Sequence, residues 1–147
     1  MNIDKLREEI KHDEGCVYEI YLDHLGLPTF GIGHLITDAD PEYNYNVGDK
    51  VSKERCEEVF NNDIKSVIND CELELLFFYD LPEEVQHIVA NMMFNLGRPR
   101  FSKFIRFKAA LANDNWNGAA IEMKDSKWYK QVTNRAERLI ERMKNVD

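Results

Sequence analysis

Apolar residues recur along this chain with two periods, and the change between them divides it. Ile3, Leu6 and Ile10 fall on one face of a helix over roughly Ile3 to Asp13, which Gly15 ends. A short alternating run follows from Val17 to Leu22. The Asp23-His24-Leu25-Gly26 turn returns it as the second strand of a small antiparallel sheet. That return strand is expected over Thr29-Phe30-Gly31-Ile32-Gly33-His34, where two glycines cost stability unless backbone or substrate passes close by. Leu35 to Lys50, punctuated by Asp38, Asp40, Pro41, Asn44, Asn46 and Gly48, predicts a loop. From Ser52, a fitting N-cap, helical spacing takes over. Cys56, Val59, Phe60, Ile64, Val67, Ile68 and Cys71 place about twenty residues on one helix, roughly 30 Å long.

The apolar run Leu73 to Tyr79 is expected to pack a helical C-terminal region. Asp80-Leu81-Pro82-Glu83 predicts a helix start with Asp80 as cap, proline in the first turn and glutamate three residues on. Val85, Ile88, Val89, Met92, Met93 and Leu96 then form the stripe of a central core helix that Gly97 closes. Arg98 to Lys103 is a basic connector. Helices over Phe104–Asn113, Trp116–Lys124 and Asn134–Lys144 follow, with Trp116 and Trp128 assigned to the core. The pattern predicts an α+β fold, predominantly helical, with one small antiparallel sheet near the N-terminus.

Length and composition narrow the function. The 147 residues fit one domain, with a two-lobed arrangement open. No apolar run is long enough to span a membrane, and the first fourteen residues are amphipathic and unlike a secretory leader, so stable membrane association is not expected. Cys16, Cys56 and Cys71 are odd in number, widely spaced and free of any CxxC. Incidental thiols are expected, not a disulfide framework or a zinc site; neither metal nor cofactor is implied. The formal net charge of −8 argues against nucleic acid, which needs clustered Lys and Arg.

The stretch Asp13 to His34 gathers the candidate chemistry. It places Glu14 at a helix end, Asp23 at a strand end and Thr29 at the start of a glycine-rich return. Two carboxylates and a hydroxyl on sharply turned backbone suit glycosidic hydrolysis. One carboxyl protonates the leaving oxygen, and the other, with a polar neighbour, activates water. Each residue also has a plain alternative. Glu14 can be a solvated helix end, Asp23 a turn residue bonding its own backbone, and Thr29 an ordinary β-branched strand residue.

Taken together, the spacing E-(8 residues)-D-(5 residues)-T followed by TFGIGH resembles the lysozymes of T-even phages and their endolysin relatives. FNND at Phe60–Asp63, NMMFNLG at Asn91–Gly97 and SKWYKQVTNRAERLI at Ser126–Ile140 extend the resemblance over nearly all of the chain. It implies a two-lobed lysozyme-like fold. An N-terminal lobe over about 13–55 is joined by the long helix to a C-terminal lobe over about 56–147 plus the first helix. It implies Glu14 as general acid, Asp23 as the partner carboxylate and Thr29 as the holder of the attacking water. Arg135 packs against the acid, and His34 pairs with Asp63 as a structural ion pair. Leu35, Phe94 and Asn95 line the saccharide cleft, although core packing serves Phe94 equally well. Two further contact positions of the family correspond to Phe107 and Glu122, which differ in type from the prototype. The acidic charge also departs from the basic prototype.

The function implied is a muramidase that hydrolyses the β-1,4 bond between N-acetylmuramic acid and N-acetylglucosamine of bacterial peptidoglycan, with inversion, leading to lysis of a host cell. The resemblance implies a monomer made in the host cytoplasm that reaches the wall after a holin permeabilises the membrane. Two rivals stand beside it. A lytic transglycosylase needs the acid but no water-positioning pair, and a catalytically silent wall-binding domain needs neither.

Overall fold

The computed structural model describes residues 1–147. By its internal contacts the chain divides into two compact units, Arg7–Ser66 and Met1–Leu6 with Val67–Asp147. Both divisions fall inside helices: α1 (Ile3–Glu14) and α2 (Lys53–Glu74).

In the unit Arg7–Ser66, Gly15 ends α1 with φ +70°, and its N–H closes the last turn on the Lys11 carbonyl at 2.9 Å. Strands β1 (Val17–Leu22), β2 (Pro28–Gly31) and β3 (His34–Leu35) form an antiparallel sheet in that order. Tyr21 lies opposite Thr29, and Leu22 opposite Pro28, with an irregularity before the Val17–Gly31 pair. The expected single return strand is in fact two. The chain reverses at Ile32-Gly33, so Thr29 pairs with Leu35 and Phe30 with His34. Gly31 and Gly33 make the reversal with φ of +64° and +63°, a region that side chains disfavour. One face of the sheet closes a core of Ile20, Phe30, Val51, Cys56 and Val59, with Ile36 against it.

The expected loop after β3 contains a 3₁₀ turn, Pro41–Asn44, whose Glu42 is buried. Burial of that carboxylate is tolerated because the Arg55 guanidinium meets both of its oxygens, at 3.0 and 3.1 Å. Ser52 caps α2 as its sequence suggests, its Oγ accepting the Arg55 N–H at 3.1 Å.

In the other unit, α3 (Glu83–Leu96) buries the whole expected stripe, and Gly97 closes it by donating to the Met93 carbonyl. Helices α4 (Arg98–Phe101), α5 (Ile105–Ala112), α6 (Trp116–Lys124), α7 (Lys127–Gln131) and α8 (Thr133–Lys144) follow. α8 packs on α3, α6 and α7, and α5 on α6. Arg142 of α8 grips Glu84 of α3 with two bonds, at 3.1 and 2.7 Å.

Asp80 is not the cap of α3: it ends a 3₁₀ turn, Phe78–Asp80, and the helix begins after Pro82, whose extended ψ of 146° holds the chain out of the helix. The run Leu73–Tyr79 packs inward only through Leu75 and Phe78, while Leu76 is 96% exposed. The basic connector contains the turn of α4, and α7 was not foreseen. Trp128 is core, but Trp116 is only half-buried.

Candidate active site

Glu14 is the last residue of α1, and its carboxyl lies against the β2–β3 reversal. A Cβ built on Gly33 would stand 2.5 Å from Glu14 Oε1 and 2.9 Å from its Cδ. No side chain fits between them. The cost of the two glycines thus has local causes: at Gly33 the acid occupies the space that a side chain would fill, and at Gly31 a Cβ would crowd Cys56 at 3.2 Å.

Asp23 follows β1 and organises the turn there. Its Oδ1 accepts the Leu25 and Leu27 N–H groups, each at 2.9 Å, and its own N–H donates to the Leu27 carbonyl. The turn-aspartate role is therefore present. It engages Oδ1 and does not use Oδ2, so the carboxylate is held rigidly with one oxygen committed. Thr29 is buried, and its hydroxyl donates to the same Leu27 carbonyl at 2.9 Å. A hydroxyl whose proton is spent in this way presents lone pairs to whatever donates to it.

Tyr21 is the common neighbour of these groups, a position that the sequence alone gave no role beyond a strand. It stands opposite Thr29 and lies two residues before Asp23. Burial raises its phenol pKa, and the negative charges of Glu14, Asp23 and Cys16 raise it further. The signal available in the sequence was its place, two positions before a candidate aspartate. Leu35, on β3 beside Thr29, is 46% exposed and offers an apolar surface there.

His34 carries two carboxylates. Its Nδ1 lies 2.7 Å from Asp63 on α2, the pairing the resemblance implies, and its Nε2 lies 2.9 Å from Asp40. The Asp40 contact was not foreseen. Burial pulls the imidazole pKa down, but bonding and charge from Asp63, and then Asp40, more than reverse this, so it lies above the ordinary histidine value. For Asp40, burial works upward and is outweighed by the Thr37 N–H, His34 and Arg55, which lower its pKa.

The remaining candidates lie in the other unit. Asn95 Oδ1 accepts from Trp128 Nε1 at 2.7 Å, and its carbonyl accepts from Arg100. Phe94 is half-buried. Arg135 is buried on α8, with Nε donating to Asn91 Oδ1 at 2.8 Å. Phe107 is fully buried, edge-to-face with Phe101 and Phe104, so that residue is core and presents nothing at a surface. Glu122 is half-buried on α6. No group of three or more His, Cys, Asp or Glu side chains is placed to hold a metal ion, and no helix is long and apolar enough to cross a membrane.

Comparison with known proteins places this arrangement. A family model described as phage lysozyme matches residues 11–145, which include every candidate residue named above. Two relatives come from Dictyostelium discoideum. Probable T4-type lysozyme 2 is 30% identical, and probable T4-type lysozyme 1 is 29% identical; each alignment covers 94% of this chain and 92% of the relative. The pre-baseplate central spike protein Gp5 of Enterobacteria phage T4 is 28% identical over 91% of this chain, a stretch that makes up 26% of Gp5. A helical α+β fold, a carboxyl seated on a glycine turn after the first helix, and a family match over nearly the whole length converge: the chain belongs to the phage lysozyme family of glycoside hydrolases.

Proposed function

We propose that this lysozyme is an inverting muramidase, cutting the β-1,4 bond between N-acetylmuramic acid and N-acetylglucosamine in peptidoglycan. The observation that carries the reading is the placing of three groups about one small sheet: the Glu14 carboxyl against the β2–β3 turn at Gly33, Asp23 anchored in the turn between β1 and β2, and Thr29 on β2. Protonated Glu14 gives its proton to the glycosidic oxygen as the C1–O bond breaks. A water held by Thr29 and Asp23 attacks C1 from the opposite face and passes its proton to Asp23. Inversion requires room for that water, with carboxyl groups about 6.5–9.5 Å apart.

Leu35, exposed on β3 beside Thr29, is proposed to contact the saccharide. Delivery by a holin from a host's cytoplasm, and action as a monomer, rest on the resemblance alone.

The test is reducing-end release from purified peptidoglycan, with Glu14→Gln beside the parent. The parent is expected to cut and the variant to lose at least about 100-fold, the lower end of the range for a positioned acid. NMR of the first product should show the anomer opposite to the substrate's. Retention would overturn inversion, and a 1,6-anhydro end would mean transglycosylation. Sedimentation with the wall without any reducing ends would mean a binding domain.

A further inference from the structure

We propose that Asp40 is a positioning residue for Glu14: with Asp63 it clamps His34, and the clamp holds the Gly31–His34 turn on which the Glu14 carboxyl rests. The inference deepens the reading of Glu14 as the acid and rests on it for its catalytic part.

The geometry links the groups in series. The Glu14 carboxyl fills the space where a Gly33 Cβ would stand. The next residue, His34, is bonded at both ring nitrogens, to Asp63 on α2 and to Asp40 from the following loop. Its ring also lies 5.0 Å from that of Phe30 on β2. The His34 and Asp40 side chains are 12% and 13% exposed, so water competes little for these bonds. Asp40 is itself held. Its Oδ2 also accepts the Thr37 N–H, and its Oδ1 lies 3.3 Å from Arg55 Nη2, while Arg55 binds Glu42 and Glu58 as well. A turn built on two left-handed glycines has little stiffness of its own. Its place is set by the two bonds of His34 and the short β2–β3 ladder.

Proton counting makes the clamp sensitive to pH. Two carboxylates each need an N–H from the ring. An imidazolium has two to give, and a neutral imidazole only one. The groups facing His34 are Asp63 from α2 and Asp40 from the loop; Arg55, Glu42 and Glu58 stand behind Asp40, and Glu14 lies across the turn. When His34 loses its proton, one carboxylate is left against a lone pair. The turn loosens, and the seat of Glu14 with it.

The experiment follows the ¹³C signal of Glu14 Cδ, the Gly33 amide and the His34 ring proton by NMR across pH, in the parent and in Asp40→Asn. Reducing-end kinetics are run in parallel. In the parent, the Glu14 and Gly33 signals should show a step at the pKa of His34. Asp40→Asn keeps an acceptor but removes a charge. The His34 pKa should fall, and the step should fall with it. The high-pH limb of kcat should move the same way, leaving kcat about tenfold lower on that side, as expected for a displaced reacting group, with KM within about twofold. If His34 titrates and the Glu14 and Gly33 signals do not follow, the proposal is overturned. The parent alone decides this even if the variant fails to fold. If the parent cuts no wall, the muramidase reading fails, and the NMR steps still decide whether Asp40 and His34 seat Glu14. A kcat limb that stays in place while the His34 pKa falls overturns the catalytic part.

Discussion

Gly33 meets two demands at once, a left-handed backbone and empty space for Glu14. Gly33→Ala is expected to lose about 1–2 kcal/mol from the backbone alone. It should also lose about 100-fold in kcat, because the acid must move aside; thermal unfolding and reducing-end kinetics measure the two separately. Thr29 allows a cleaner division. Thr29→Val keeps the shape but leaves the Leu27 carbonyl without its hydroxyl donor, for about 1 kcal/mol by urea unfolding. It should abolish most turnover, whereas Thr29→Ser restores it. At this scale the sequence singled out Glu14, Asp23 and Thr29 as candidates by residue type in a fixed spacing. For Tyr21 it offered only a place two residues before Asp23, and for Asp40 nothing beyond a loop position. Their roles come from which chain segments lie beside them in space, and no local pattern encodes that.

Helix starts show where local chemistry is trustworthy and where neighbours override it. Ser52 and Asp80 both look like caps, but only Ser52 accepts a helix N–H, while Asp80 is turned into a 3₁₀ segment ahead of Pro82. Ser52→Ala should therefore cost about 1 kcal/mol of stability, and Asp80→Ala should cost well under half of that in the same urea titration. The β2–β3 reversal was misjudged for a related reason: TFGIGH alternates like a strand, and only the left-handed glycines break it. The histidine that follows gives the sheet a pH signature. Its folded pKa is raised, so its contribution to stability is complete below the unfolded value of about 6.5 and is lost as pH rises through the folded value. Asp63→Asn should flatten that part of the stability–pH curve. An unchanged slope would mean that the pair contributes nothing.

The whole chain carries a formal charge of −8, and bacterial walls are largely anionic, so the long-range field opposes encounter. Raising salt from about 0.01 to 0.1 M shortens screening from about 30 to 10 Å. It should raise kcat/KM on wall fragments, opposite to the behaviour of a basic enzyme, and a fall would show that local positive groups govern binding. At this scale the helical content and the N-terminal sheet were legible from periodicity. The point within α1 at which the division between the two units falls was not, because that depends on contacts far apart in sequence. Residues 1–6 belong with Val67–Asp147, and Leu6 is completely buried. This has a consequence for synthesis. As the chain leaves the ribosome, Arg7–Ser66 has all its own residues early, while the first six must wait for the last half of the protein. A fragment of residues 67–147 made alone is short of its final piece. Joining residues 1–6 to its C-terminus through a flexible linker should restore cooperative unfolding that the bare fragment lacks.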